Sequence, residues 1–177
     1  MVRHQHLLIS LFVIISIILS SSSCKKEDNV NDPGSSSGTG SIEFDGKSYS
    51  IKYGLYDYFG EFGGVHNFEL FLFSDGVNLN NETGEGNVIS IYFYSDVPPL
   101  PTGTIPYYSG TDDIPYIEAQ AGLDYNLETQ VGKVIPVFQE GNVTITRSGD
   151  TYNIEFTLIS ETEGQMTGNY KGKVSAF

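Results

Sequence analysis

Alternation of apolar and polar side chains, the period of a half-buried β-strand, recurs along the chain after residue 40. In "KSYSIKYGL", residues 47–55, the alternating apolar positions are Tyr49, Ile51, Tyr53 and Leu55. This segment follows Asp45-Gly46, a dipeptide that favours a tight turn, and so predicts a hairpin with residues 42–44. "NFELFLF", residues 67–73, is apolar on both faces, which predicts a central strand.

The next segments repeat the strand pattern. In "NVISIYFYS", residues 87–95, one predicted face carries Ile89, Ile91 and Phe93, and the other carries Val88, Tyr92 and Tyr94. "PPLPTG" then ends the strand, because proline cannot donate a hydrogen bond to a ladder. Shorter strands are predicted at residues 104–108, 116–123 and 134–139.

The last segments predict a three-strand meander. Val143 and Ile145 share a face in its first strand, "RSGD" turns the chain, and residues 152–158 alternate in the second. "ETEGQ" turns the chain again before a third strand from residue 166 to the end. No segment combines helical periodicity with caps at both ends. The pattern therefore predicts one all-β, antiparallel domain of about eight to ten strands, a sandwich or a barrel.

The first segment has the composition of an export signal. Arg3 precedes "LLISLFVIISIIL", residues 7–19, which contains no charge and is followed by four serines. A membrane-spanning helix needs about 20 apolar residues, whereas a signal core needs about 7–15 and then small residues. Residues 1–23 are therefore predicted to be a signal peptide that is removed.

Cys24 is the only cysteine in the chain and directly follows this segment. The serines and Cys24 resemble a bacterial lipobox, although that pattern has Leu where this chain has Ser21. The resemblance implies lipid on the Cys24 thiol and cleavage just before it. Lys26-Glu27-Asp28 resembles the surface-export signal of Bacteroidetes lipoproteins. It implies an outer-membrane, lipid-anchored protein that faces the cell surface.

Residues 24–40 are predicted to be the anchored cysteine and a flexible linker, because Gly, Ser, Asn and Asp dominate them and they cannot bury enough surface to fold. Residues 41–177 are long enough for one domain with a core. The formal net charge of the chain is −13. This negative charge argues against nucleic acid as a partner. The expected partners are the membrane, through lipid on Cys24, and a glycan or protein.

The final block also carries a resemblance. "GNVTITRSGDTYNIEFTLISETEGQMTGNYKGKVSAF" resembles the ending of uncharacterised Bacteroidetes outer-membrane lipoproteins, with a Gly-x-Val-Thr strand and a Gly-x-Tyr-x-Gly close. Members of that group have flattened, calycin-like barrels or sandwiches. The resemblance covers about a quarter of the chain and implies no activity and no cofactor.

Few catalytic groups remain after signal cleavage. His66 is then the only histidine, so a Cys–His nucleophile is absent and a zinc site is not expected. His66 is interpreted as a hydrogen-bonded side chain at a strand end, and no catalytic or metal residue is assigned. Residues 74–85 are rich in Asn, Asp and Glu, a composition that suits Ca²⁺ but is also that of a solvated hairpin loop, the reading favoured here. A pair of carboxylates remains open as a catalytic site.

The stretch "YDYFGEF", residues 56–62, is the candidate binding segment, because four aromatics stand among glycine and charges in a predicted loop. Aromatic faces stack on sugars and anchor protein contacts, and core packing is the alternative. The candidate binding residues are Tyr56, Tyr58, Phe59 and Phe62.

Three functions are consistent with these features. The favoured one is a non-catalytic surface lipoprotein that binds a glycan or protein as a binding or accessory module. The second is a calycin-like carrier of a small apolar ligand, which an inner cavity would favour. The third is a carboxylate-based hydrolase, which two carboxylates about 5–10 Å apart in a cleft would favour.

Overall fold

The computed structural model describes residues 37–98, 100–110, 113–135 and 138–177. These residues contain twelve β-strands and no helix. The strands are β1 (Ser37–Phe44), β2 (Lys47–Phe62), β3 (Val65–Phe73), β4 (Val77–Asn78), β5 (Thr83–Ser95), β6 (Gly103–Pro106), β7 (Tyr116–Asn126), β8 (Val131–Ile135), β9 (Glu140–Ser148), β10 (Thr151–Ser160), β11 (Gly164–Gly172) and β12 (Ser175–Ala176). The prediction of an all-β fold is confirmed.

One sheet contains all of these strands, in the order β6-β9-β10-β11-β1-β2-β3-β5-β7-β8. Neighbours along this order are antiparallel; β4 pairs with β5, and β12 lies parallel to β2. The sheet is not closed into a barrel, so the barrel alternative is not what the chain forms. An isolated parallel bridge between Tyr107 and Ile117 joins the segment after β6 to β7.

Several elements lie where alternation and turn residues predict them. Asp45 and Gly46 form the β1–β2 turn with positive φ angles of 50° and 71°, which suits a tight hairpin turn. β3 lies between β2 and β5, as its two apolar faces predict. β9, β10 and β11 form the C-terminal antiparallel meander. β8 begins earlier than predicted, at Val131, because Val131 pairs with Asn126 across a short turn.

The first strand extends into the stretch predicted to be linker. β1 begins at Ser37, and Gly38 and Gly40 pair with Gly172 and Tyr170 of β11. A Cβ atom on Gly40 would lie 2.1 Å from the Asn169 carbonyl oxygen, so glycine is required by close backbone approach here. The glycines of this stretch predict a flexible linker, but at this position glycine allows two strands to approach closely and pair.

The core fills the inner side of the curled sheet. Buried apolar side chains from all the long strands form one cluster, and its largest fully buried members are Tyr170, Phe68, Phe93 and Phe138. The outer surface of the sheet has two halves of different chemistry. The half on β2, β3, β5 and β7 is aromatic and acidic, and the half on β1, β9, β10 and β11 is rich in hydroxyl and amide groups.

Candidate functional site

The outer side of β2, β3, β5 and β7 carries partly exposed apolar and aromatic side chains where polar ones are usual. On the inner side Leu70 pairs with Ile91, and both are fully buried. The intervening positions therefore point outward. We name this surface the aromatic face and define it by Leu55, Asp57, Glu69, Phe71, Ser90, Tyr92, Tyr94, Tyr116 and Glu118. Antiparallel strands with both faces apolar point to a surface that something else covers or binds.

Glu69 lies at the centre of the aromatic face and is almost completely buried, with 2% of its surface exposed. The Ser90 hydroxyl donates a hydrogen bond to Glu69 Oε1 at 2.5 Å. Burial raises the pKa of Glu69 to about 7, the hydrogen bonds from Ser90 and Tyr92 oppose this rise, and the charge of Asp57 adds to it. Near neutral pH this carboxyl therefore exists in both its neutral and its charged form.

A row of polar groups crosses the aromatic face at Glu69. Strand register places Asp57 of β2 opposite Glu69 of β3, Glu69 opposite Tyr92 of β5, and Tyr92 opposite Glu118 of β7. Burial raises the pKa of Glu118, and a hydrogen bond from Tyr94 at 3.4 Å partly opposes this. Asp57, Glu69 and Glu118 thus stand in one row with Tyr92 across four strands.

Three tyrosines form a continuous cluster next to this row. The rings of Tyr94 and Tyr116 stack with centroids 4.6 Å apart, and Tyr108 meets Tyr116 at 4.8 Å. All three are partly exposed. Burial raises the pKa of the Tyr94 hydroxyl, which therefore remains a hydrogen-bond donor at neutral pH. The cluster presents ring surface and polar hydroxyls together, with Tyr94 on β5, Tyr116 at the start of β7 and Tyr108 in the connection between β6 and β7.

The predicted binding segment, residues 56–62, is not a loop, and that expectation is wrong. β2 continues to Phe62, with a β-bulge between Tyr58 and Gly60. The bulge and the adjacent aromatic residues interrupt the alternation of apolar and polar side chains within 56–62. The sequence pattern therefore did not reveal that this segment is a strand. The strand pairs with β3 along its whole second half, so the glycine does not free the backbone.

The four candidate residues do not form one platform. Tyr56 pairs with Leu70 and packs against the core as a partly buried side chain. Tyr58 pairs with Phe68 and stacks on its ring at 4.8 Å, with 44% of Tyr58 exposed. Phe59 is half-buried, and Phe62 lies at the hairpin end with 68% exposed. Only Tyr58 and Phe62 of the four expose more than about a third of their surface.

His66 lies near the start of β3 and is hydrogen-bonded there, as its sequence context predicts. Its Nδ1 atom is 2.8 Å from the Tyr58 hydroxyl. Its Nε2 atom is 3.9 Å from a carboxylate oxygen of Glu61. The three side chains tie the two strands of the hairpin end together.

The acidic segment 74–85 is a short hairpin-like connection. β4 within it pairs with β5. Both carboxylate oxygens of Asp75 accept hydrogen bonds from Lys52 Nζ, and Tyr53 donates another at 2.8 Å. These bonds lower the pKa of Asp75, the bond from Lys52 most. Among the residues that the structure describes, no group of three or more His, Cys, Asp or Glu is arranged to hold a metal ion.

Glu69, Ser90 and Glu118 were not identified from the sequence. The available signal was Glu69 itself, a single acid inside the apolar run "NFELFLF". Such an acid is expected to be buried and paired or neutralised. Its partner Ser90 is 21 positions away in the chain, and only strand register brings the two together.

Cys24 and the rest of residues 1–36 lie outside the described residues, so lipidation stays a prediction. Within residues 37–98, 100–110, 113–135 and 138–177, no helix is long and apolar enough to span a membrane.

Comparison of the chain with protein-family models, with curated proteins and with solved structures finds no match in any of the three.

Proposed function

We propose that this chain is a non-catalytic surface lipoprotein whose aromatic face binds a glycan. The observation that carries the proposal is the Tyr94–Tyr116–Tyr108 cluster beside the partly exposed carboxylate of Glu118. Sugar rings have apolar faces that stack on aromatic rings and hydroxyls that donate to carboxylates. A surface that combines both groups suits this class of ligand.

A glycan is favoured over a protein partner by the acidic row. The cores of protein–protein interfaces are depleted of charged residues, in particular Asp and Glu. On the aromatic face Asp57, Glu69 and Glu118 stand in register with Tyr92 across four strands. A protein partner would have to desolvate the partly exposed Asp57 and Glu118, whereas the hydroxyls of a sugar can hydrogen-bond to them.

The proposed anchor is lipid on Cys24, in the outer membrane and at the cell surface. The support is the sequence alone: an uncharged apolar segment, four serines and the only cysteine of the chain in direct succession, followed by Lys26-Glu27-Asp28. A signal of this length ends before it can span a bilayer. Two or more acyl chains on one cysteine would hold the protein stably on the membrane.

A hydrolase is the second candidate, and one observation favours it. Asp57 and Glu69 are cross-strand partners, which sets their Cβ atoms about 4.5–5.5 Å apart, and retaining glycosidases hold their carboxyl groups about 5–5.5 Å apart. The burial of Glu69 and its bond from Ser90 argue against it, because this carboxyl is covered by its neighbours and is not accessible to a substrate. A carrier of an apolar ligand is disfavoured by the large side chains that fill the inner side, including Phe68 and Phe138.

The test is a glycan array probed with the full-length chain in detergent and with the double variant Tyr94→Ala/Tyr116→Ala. Each ring contributes about 0.5–1.5 kcal/mol beyond area burial. We therefore expect the affinity for any bound glycan to fall by about tenfold or more. Ile159→Ala removes an apolar side chain that is 36% exposed on β10, away from the aromatic face, and is the control.

Phe62→Ala tests the segment 56–62, of whose aromatic residues Phe62 is the most exposed. If Phe62→Ala weakens binding and the tyrosine variant does not, the site lies there and not on the aromatic face. Equal binding by all variants would eliminate both sites. Release of shortened products from the bound glycan would replace the non-catalytic proposal with the hydrolase.

A further inference from the structure

The outer side of β1, β9, β10 and β11 is a second surface of distinct chemistry, opposite in character to the aromatic face. Strand register aligns its side chains in rows. One row contains Asn142, Thr157, Thr167 and Glu43, and the next contains Thr144, Glu155, Asn169 and Ser41. Hydroxyl and amide groups thus occupy most of the outward positions of four consecutive strands.

These rows line an open groove of about 630 Å³. Its middle is formed by short side chains, among them the cross-strand partners Thr157 and Thr167, and longer side chains such as Glu43 and Lys171 also line it. Beneath it the buried Phe156 pairs with Gly168, where a Cβ atom would lie 2.2 Å from the ring. The floor is therefore tightly packed, and the volume falls within the roughly 300–1,000 Å³ of small-molecule sites.

The hydroxyl and amide groups that line the groove remain available to a ligand. The side chains of Asn142, Thr157, Thr167 and Asn169 have no hydrogen-bond partner among the described residues. Each hydroxyl or amide can both donate and accept. By contrast, the carboxylates near them are engaged: Glu43 accepts from Ser48 at 2.5 Å, and Glu155 accepts from Asn153 at 3.3 Å.

We propose that this groove binds an uncharged, extended ligand rich in hydroxyl groups, which is a neutral oligosaccharide. The lining carries Glu43 and Glu155 against Lys171, and the chain has a net charge of −13, so a polyanion is repelled. The backbone groups of β10 and β11 are paired on both sides within the sheet, so a peptide cannot add as a further strand. The site is separate from the aromatic face and does not depend on the function proposed there.

The test is titration of the full-length, ¹⁵N-labelled chain in detergent with maltohexaose, cellohexaose, mannohexaose and xylohexaose. We expect at least one of these to shift amide resonances of β9, β10 and β11. In Thr157→Val/Thr167→Val the shape and strand propensity are kept and two hydroxyls are lost, so the affinity should fall by about tenfold.

Thr146→Val is the matched control, because Thr146 is an exposed threonine of β9 that does not line the groove. It should bind as the wild type does. Binding that survives Thr157→Val/Thr167→Val, shifts confined to β5 and β7, or no shift with any of the four sugars would each overturn the proposal. If the double variant does not fold, the resonances that shift in the wild type still test the proposal. Shifts in β9, β10 and β11 place the ligand in the groove, and shifts in β5 and β7 place it on the aromatic face.

Discussion

At the scale of single residues, Glu69 combines nearly complete burial with a position at the centre of a partly exposed surface. Its carboxyl is held by Ser90 and Tyr92. A buried carboxyl with a raised pKa makes the stability of the fold depend on pH. The neutral form is compatible with burial, and the charged form is costly.

The pH dependence has a definite sign. The pKa of Glu69 rises from 4.5 to about 7 on folding, which corresponds to about 3 kcal/mol between the two protonation states. This contribution is fully present below pH 4.5 and is lost as the pH rises through about 7. Glu69→Gln keeps an acceptor for Ser90 and cannot ionise, so it should be more stable than the wild type at pH 8 and similar at pH 4.

Denaturant unfolding of both proteins across this pH range measures the effect. Glu140→Gln, on the exposed surface of β9, is the control and should follow the wild type. Parallel curves for wild type and Glu69→Gln would show that the pKa of this carboxyl is the same in the folded and the unfolded state.

At the scale of elements, β1 joins two halves of the sheet through a backbone contact that only glycine allows. Gly40 faces the Asn169 carbonyl oxygen of β11 at a distance that leaves no room for a side chain. β1 is also the only strand between β11 and β2. A defect at this position therefore weakens the pairing that connects the meander to β2 through β1.

Gly40→Ala should destabilise the fold, because its Cβ atom would lie 2.1 Å from that oxygen and the strands would have to move apart. Overpacking of this kind costs about 1–3 kcal/mol. Thermal unfolding measures the change. Ser41→Ala, the next residue of the same strand, is the control and should cost much less. Equal melting temperatures for the two variants would mean that β1 is not tightly paired at Gly40.

The elements that could be predicted are those fixed by local pattern. The hairpin at Asp45-Gly46, β3, β5 and the C-terminal meander all follow from alternation and turn residues close in sequence. Gly40 could not be assigned to a strand, since its role depends on Asn169 of a strand at the other end of the chain. The aromatic face was missed for the same reason, because register between distant strands brings Glu69, Tyr92 and Glu118 into one row.

At the scale of the whole molecule, the proposed anchor and the two proposed binding surfaces lie in different parts of the chain. Cys24 is the only cysteine, and it precedes every described strand. Loss of the anchor should therefore leave the fold and both surfaces intact.

Cys24→Ala should lose lipid labelling and release the protein from membranes into the soluble fraction. Metabolic labelling with a fatty acid and fractionation after a carbonate wash measure both effects. The control is Ser23→Ala, which retains a small residue before the cysteine and should remain anchored. A Cys24→Ala protein that stays on the membrane after the wash would rule out the thiol as the anchor.

The place of β1 in the sheet also bears on when the protein can fold. Its partner β11 is synthesised long after β1, since Phe44 lies opposite Met166. While the chain is still being synthesised or exported, β1 therefore has one edge without its partner. Pairing between such distant segments is slow, because loop-closure entropy must be overcome before native contacts form. The sheet is completed only after β11 has emerged, and this timing is compatible with the proposed export of the chain before it folds.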